Sequence, residues 1–72
     1  MTGILIKLND RPDIVFEDGT LYGGLHCGEC LSIFEEKMGW IPVRLEFTDD
    51  WVLIDGSRAK SIPVPYGGCV MV

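Results

Sequence analysis

The sequence predicts a small all-β domain of short antiparallel strands, and three observations carry that prediction. Apolar residues alternate with a period of two from Trp40 to Phe47, β-branched and aromatic residues gather in runs of strand length, and Gly, Pro, Asn and Asp separate the runs. No stretch shows the apolar periodicity of an amphipathic helix. With 72 residues the chain is expected to form a single domain, 1–72, and so short a chain buries only about 60% of the surface that it exposes when unfolded.

Taken in order, Ile4-Leu5-Ile6-Lys7-Leu8 is the first predicted strand, stopped by Asn9-Asp10-Arg11-Pro12-Asp13, where Asn and Asp favour a turn and Pro12 lacks an amide donor. Ile14-Val15-Phe16-Glu17 is the second, ended by the tight-turn pair Asp18-Gly19. Together they make an N-terminal hairpin. Gly23-Gly24 interrupts the following passage, and a bend there lets the chain change sheets. Cys30–Phe34 is the third strand, Glu35–Gly39 a polar hairpin loop, and Trp40–Phe47 the fourth strand, with Pro42 requiring an edge or a bulge.

Asp49-Asp50 turns the chain into Trp51-Val52-Leu53-Ile54, the fifth strand. A two-residue loop would set Phe47 against Val52 and leave Trp51 on the Trp40/Arg44 face, whereas a three-residue loop reverses that assignment. Asp55–Ser61 is polar and predicts an exposed loop, and Ile62-Pro63-Val64-Pro65 an extended, polyproline-like passage. Cys69–Val72 is a last strand, which pairs most simply with the N-terminal one and so closes a small barrel.

Five or six short strands, a central hairpin and a proline-bearing passage before the last strand look like an SH3-like barrel. The pattern Leu25-His26-Cys27-Gly28-Glu29-Cys30, Trp40-Ile41-Pro42-Val43-Arg44-Leu45-Glu46 and Asp50-Trp51-Val52-Leu53 resembles a family of short bacterial and phage-associated proteins known only as a domain of unknown function. The resemblance runs from Gly3 to Ile54. It implies a barrel and a bacterial or mobile-element setting, and it brings no functional residues with it.

Eleven acidic residues against six basic ones give a net charge of −5, which disfavours nucleic-acid phosphates and anionic membranes as partners. The apolar run Gly3–Ile6 is too short for a signal-peptide core and nothing reaches the length of a membrane span. Three cysteines, an odd number, do not make a disulfide framework, and reduced thiols fit a cytoplasmic protein.

Cys27 and Cys30 have the spacing of a zinc knuckle, with Gly28 free to curl the backbone between them. Tetrahedral zinc needs four ligands, so the candidate set is Cys27, Cys30 and Cys69 completed by His26 or water. The competing explanation is that these cysteines are small apolar residues beside a turn. A redox role is disfavoured because strand, not helix, follows the motif. A Cys–His hydrolase lacks an orienting acid, and neither glycine pair has the context of a phosphate loop. The expected cofactor is therefore none, with zinc as the alternative, and no enzymatic activity is expected.

Trp40, Arg44 and Trp51 are the candidate binding residues, because tryptophan and arginine on one strand face are the substance of interface hot spots. Against this, a small barrel needs its large aromatics for its own core. The favoured function is a non-enzymatic module that recognises a protein partner, or itself, through that face. Three alternatives stand beside it. One is an acidic inhibitor of a host enzyme, acting by electrostatic complementarity. The next is an oligomeric nucleotide binder using Arg44, Arg58, Lys60 and Trp40 or Tyr66. The last is a mini-domain folded around zinc.

Overall fold

The computed structural model describes residues 1–72 and contains one antiparallel sheet. Its strands are β1 (Thr2–Leu8), β2 (Arg11–Phe16), β3 (Cys30–Glu35), β4 (Gly39–Phe47), β5 (Trp51–Asp55), β6 (Lys60–Pro63) and β7 (Cys69–Met71), in the spatial order β2-β1-β7-β3-β4-β5-β6. The all-β class is as the sequence predicts, with seven strands instead of five or six. No helix is long and apolar enough to cross a membrane.

The β1–β2 connection is tighter than expected. Leu8 pairs with Arg11 across the two residues Asn9 and Asp10, whose φ angles of 54° and 60° make the left-handed turn that matches strand twist. Pro12 consequently lies inside β2, not in the turn. It is tolerated because the Pro12 carbonyl accepts from the Leu25 N–H at 2.9 Å, on the edge away from β1, and a strand residue's nitrogen points to the same edge as its carbonyl, so no bond to β1 is lost.

The extra strand is β6. Asp55 accepts hydrogen bonds from the Ser57 N–H (3.1 Å) and hydroxyl (2.7 Å), and Ala59 adopts φ 48°. The chain thereby reverses within four residues and Lys60 returns opposite Asp55. The predicted exposed loop is shortened accordingly, and Asp55 is buried. At the other end of the chain β7 pairs with β1 as expected, and also with β3.

Rolling of the sheet follows from the bend predicted at Gly23-Gly24, where φ is 109° and 92°. As far as Leu25 the segment follows the free edge of β2, with Phe16 N–H bonded to Thr20 O (2.8 Å), Tyr22 N–H to Ile14 O (2.9 Å) and Leu25 N–H to Pro12 O. Beyond Leu25, Gly28 N–H bonds to Leu45 O (2.7 Å) and Leu45 N–H to Glu29 O (2.9 Å). One bent segment thus joins the edge strand β2 to β4. In a flat sheet β1 and β5 would lie about 19 Å apart, four strand spacings. Here the Trp51 Nε1–H, from β5, donates to Asp10 O, in the β1–β2 turn, at 3.2 Å.

The interior of this barrel-like roll is filled from nearly every strand. Leu5, Ile14, Leu25, Leu45, Leu53 and Val70 are at most 1% exposed, and burying each contributes roughly 1.5–3 kcal/mol. Only 13 of the 72 residues are buried, while eleven large apolar side chains remain exposed. Where those eleven gather decides where a site could be.

Candidate functional site

Strand geometry sorts them. Residues directly opposite one another on neighbouring strands point to the same side of a sheet, so the pairing register can be followed across the molecule. Leu21 bridges to Val15, Val15 pairs with Ile4, and Ile4 with Cys69. The β7–β3 register of Ile33 with Val70 continues by one residue to set Cys69 against Phe34, and Phe34 pairs with Trp40. Leu21, Val15, Ile4, Cys69, Phe34 and Trp40 therefore form one cross-strand row on the outside of the roll. The exposures of Leu21 (48%), Ile4 (41%), Phe34 (50%) and Trp40 (38%) show that the row faces outward. No member carries a charge.

The row has relief. Phe34 and Trp40 stack edge to face, with centroids 5.4 Å apart and planes at 71°, an arrangement worth about 0.5–1.5 kcal/mol beyond burial. On the other side of Cys69, a depression of about 290 Å³ is lined by Thr2, Gly3, Ile4, Val15, Phe16, Glu17 and Cys69. The next row along the strands, Thr2, Met71, Ser32 and Pro42, carries no charge until it reaches Glu17, opposite Thr2 on β2.

Of the three binding residues predicted from sequence, the structure brings two to this outer face. Trp40 ends the row, and Arg44 lies four residues along β4 on the same side, its Nε 2.6 Å from Glu46 Oε2. Trp51 is on the other side of the sheet. The β4–β5 loop has three residues, Thr48 to Asp50, so Trp51 pairs with Phe47 and shares the side of Leu45 and Leu53. It packs against the core, with Arg11 5.5 Å above its ring. Sequence reading missed Leu21, Ile4, Phe34 and Cys69. A signal was present, because Ile4-Leu5-Ile6 and Ile33-Phe34 are apolar at consecutive positions, and consecutive apolar residues in a strand occupy both faces.

The cysteines are dispersed. Cys27, Cys30 and Cys69 are all free and exposed. Because Cys69 stands opposite Phe34, it is four residues, about 13 Å, along the sheet from Cys30. The three are not gathered, and no group of three or more His, Cys, Asp or Glu side chains is placed to hold a metal ion. His26 instead faces Glu29, with Nδ1 3.0 Å from Oε1, and the Tyr22 hydroxyl donates to Glu29 Oε2 at 2.7 Å. Burial alone would raise the Glu29 pKa, but the Tyr22 and His26 hydrogen bonds outweigh it and hold the carboxyl below its ordinary value. Tyr22 is raised, first by its hydrogen bond to Glu29 and then by that charge.

Of the residues proposed for phosphate and base contacts, Arg58 has its Nε 3.4 Å from Asp55 Oδ2, Lys60 stands opposite Asp55 across β5 and β6, and Tyr66 has Lys7 6.0 Å from its ring centre.

A family model described as a domain of unknown function (DUF5348) matches residues 4–64. The chain is also similar to a protein from Ruminococcus gnavus, whose crystal structure was solved as a Northeast Structural Genomics Consortium target. The two are 36% identical with a TM-score of 0.80, and the match covers 100% of each chain. No curated protein matches the sequence.

Proposed function

The chain belongs to the DUF5348 family, a domain of unknown function, and from its geometry we propose that it is a small non-enzymatic module that binds a protein surface through the outer apolar row. The observation that carries this reading is the row itself, six apolar residues in register across the sheet with no charge among them. Single exposed apolar residues are ordinary, but a contiguous set is a mark of interaction sites. Interface centres are depleted in charge and enriched in aromatic residues, Met and Arg, and Phe34, Trp40, Met71 and Arg44 share this face.

The use made of the carboxylates supports the non-enzymatic part of the reading. Asp13, Asp18, Glu29 and Asp55 each accept a backbone N–H of their own turn or its neighbour, from Ile14 and Gly23, Thr20, His26 and Ser57 respectively. They act as local structural caps. The setting in this proposal is an SH3-like barrel in the cytoplasm of a bacterium or of a mobile element's host.

Quantitative affinity capture with the native chain, Trp40→Lys and Phe34→Lys tests the reading. Recovery of a bound protein is expected to fall by about thirtyfold in each variant, the effect of losing a ~2 kcal/mol hot spot, while the circular-dichroism melts stay close to native. Capture indifferent to both substitutions would overturn the proposal.

A further inference from the structure

We infer that the partner seated on the apolar row is a second copy of this chain, docked about a two-fold axis that lies in the interface, runs along the strands and passes over Cys69. The inference rests on the interaction-module reading and names its partner. In a two-fold contact, residue i of one copy meets j of the other while j meets i, so the surface must contain both halves of a fit. This row does. Phe34 and Trp40 project on one side of Cys69, and the depression beside Ile4 and Val15 lies on the other.

Rotation about the stated axis reverses the order of the row and places the aromatic pair of each copy over the depression of the other. The depression is open to solvent, and its volume of about 290 Å³ exceeds the roughly 150 Å³ of an enclosed cavity that holds benzene. The same rotation keeps the strands of the two copies aligned, the usual arrangement of stacked sheets.

Charge points the same way. A second copy carries the same net −5 and is repelled by a charged surface. The outer row is uncharged, Glu17 opposite Thr2 is the one charge at the β2 end of the neighbouring row and lines the depression, and Arg44 is neutralised by Glu46 on its own strand. These two rows span about 24 by 7 Å between strand axes and residue positions before side-chain relief is added. Before side chains are added that is about 170 Å², well under the roughly 800 Å² per partner of a standard interface, so the dimer is a weak, concentration-dependent one.

Sedimentation equilibrium over about 1 μM to 1 mM tests association directly, since dimer population follows mass action. The mass is expected to rise from one chain toward two, and Phe34→Glu and Ile4→Lys, each verified as folded by circular dichroism, are expected to hold it at one. Cross-linking then tests the axis. A Cys27→Ser/Cys30→Ser variant leaves Cys69 as the sole thiol, and a short bismaleimide, adding one thiol to each of its double bonds, is expected to join two chains there. Leu21→Cys in a Cys27→Ser/Cys30→Ser/Cys69→Ser background places the thiol at the far end of the row, and is expected to cross-link at least tenfold more slowly.

Equal rates at the two positions, a dimer unaffected by both charge insertions, or a single-chain mass at every concentration would each overturn the inference. The outcome for the parent reading is separate. A single-chain mass combined with capture of another protein that depends on Trp40 removes only the second-copy partner. Neither dimer nor Trp40-dependent capture removes both.

Discussion

Phe47 sits directly opposite Trp51 across the β4–β5 hairpin, their rings edge to face with centroids 4.9 Å apart and planes at 70°. The pair is the register of the three-residue loop made visible, and it turns Trp51 toward the core. From there the indole reaches the Asp10 carbonyl and lies beneath Arg11, so one side chain ties β5 to the β1–β2 hairpin and holds the sheet in its roll.

The two tryptophans are accordingly unequal. Trp51→Ala removes partly buried core packing, a hydrogen bond and an aromatic partner, and is expected to cost about 3 kcal/mol, the lower end for a core aromatic. Trp40→Ala, at an exposed site with Phe34 as its aromatic partner, is expected to cost about 1 kcal/mol. Urea unfolding of both variants checks the order, and a larger loss for Trp40→Ala would contradict the placement of the two faces.

Gly3 leaves no room for a side chain. A Cβ there would lie 2.6 Å from Ile14 Cγ2 and 2.7 Å from the Val15 carbonyl oxygen, and a backbone atom of the paired strand cannot step aside. Gly3→Ala is expected to destabilise the fold by about 1–3 kcal/mol, read as a lowered denaturation midpoint. A midpoint equal to the native one would show that β1 and β2 are less closely apposed.

The acid limb of stability should depend on Asp55. Its carboxyl is held below its ordinary value of 3.8, first by the Ser57 hydroxyl and then by the Ser57 N–H and Arg58, against the opposing effect of burial. A depressed folded pKa contributes stability that is complete above the unfolded value and is lost as pH falls through the folded one. Asp18, lowered chiefly by the Thr20 hydroxyl, acts in the same direction. Thermal melts from pH 7 to pH 2 are expected to drop below about pH 4, less steeply in Asp55→Asn, whose melt at neutral pH is already lowered. An unchanged slope would exclude Asp55 as a source of the acid limb.

Tyr22 offers a spectroscopic check of its contact with Glu29. In a Tyr66→Phe background the ultraviolet titration of the remaining phenol is expected above its ordinary value of 10.0, and Glu29→Gln is expected to bring it down. Since the folded pKa is raised, the associated stability is present below the unfolded value and is lost as pH rises through the folded one. A titration insensitive to Glu29→Gln would show that the hydroxyl and carboxylate are not joined in solution.

What the sequence determined by itself is local. Period-two alternation from Trp40 to Phe47 placed β4 and its buried face, the glycine pair at 23 and 24 marked the bend, and the apolar C-terminal run required the β1 partner that it has. Pro42 sits where β4 has no β5 neighbour, since β5 pairing begins only at Arg44, in keeping with its missing donor. Tertiary structure decided the rest. The extra strand β6 depended on Asp55 capping its own turn, the side taken by Trp51 depended on one residue of loop length, and the outer row depended on pairings among segments far apart in the chain. Alternation tells which residues of a strand share a face, because side chains alternate by local geometry. It does not tell which strands lie side by side or in what register, because those are fixed by the packing of the whole core, and a shift of one residue exchanges inside for outside.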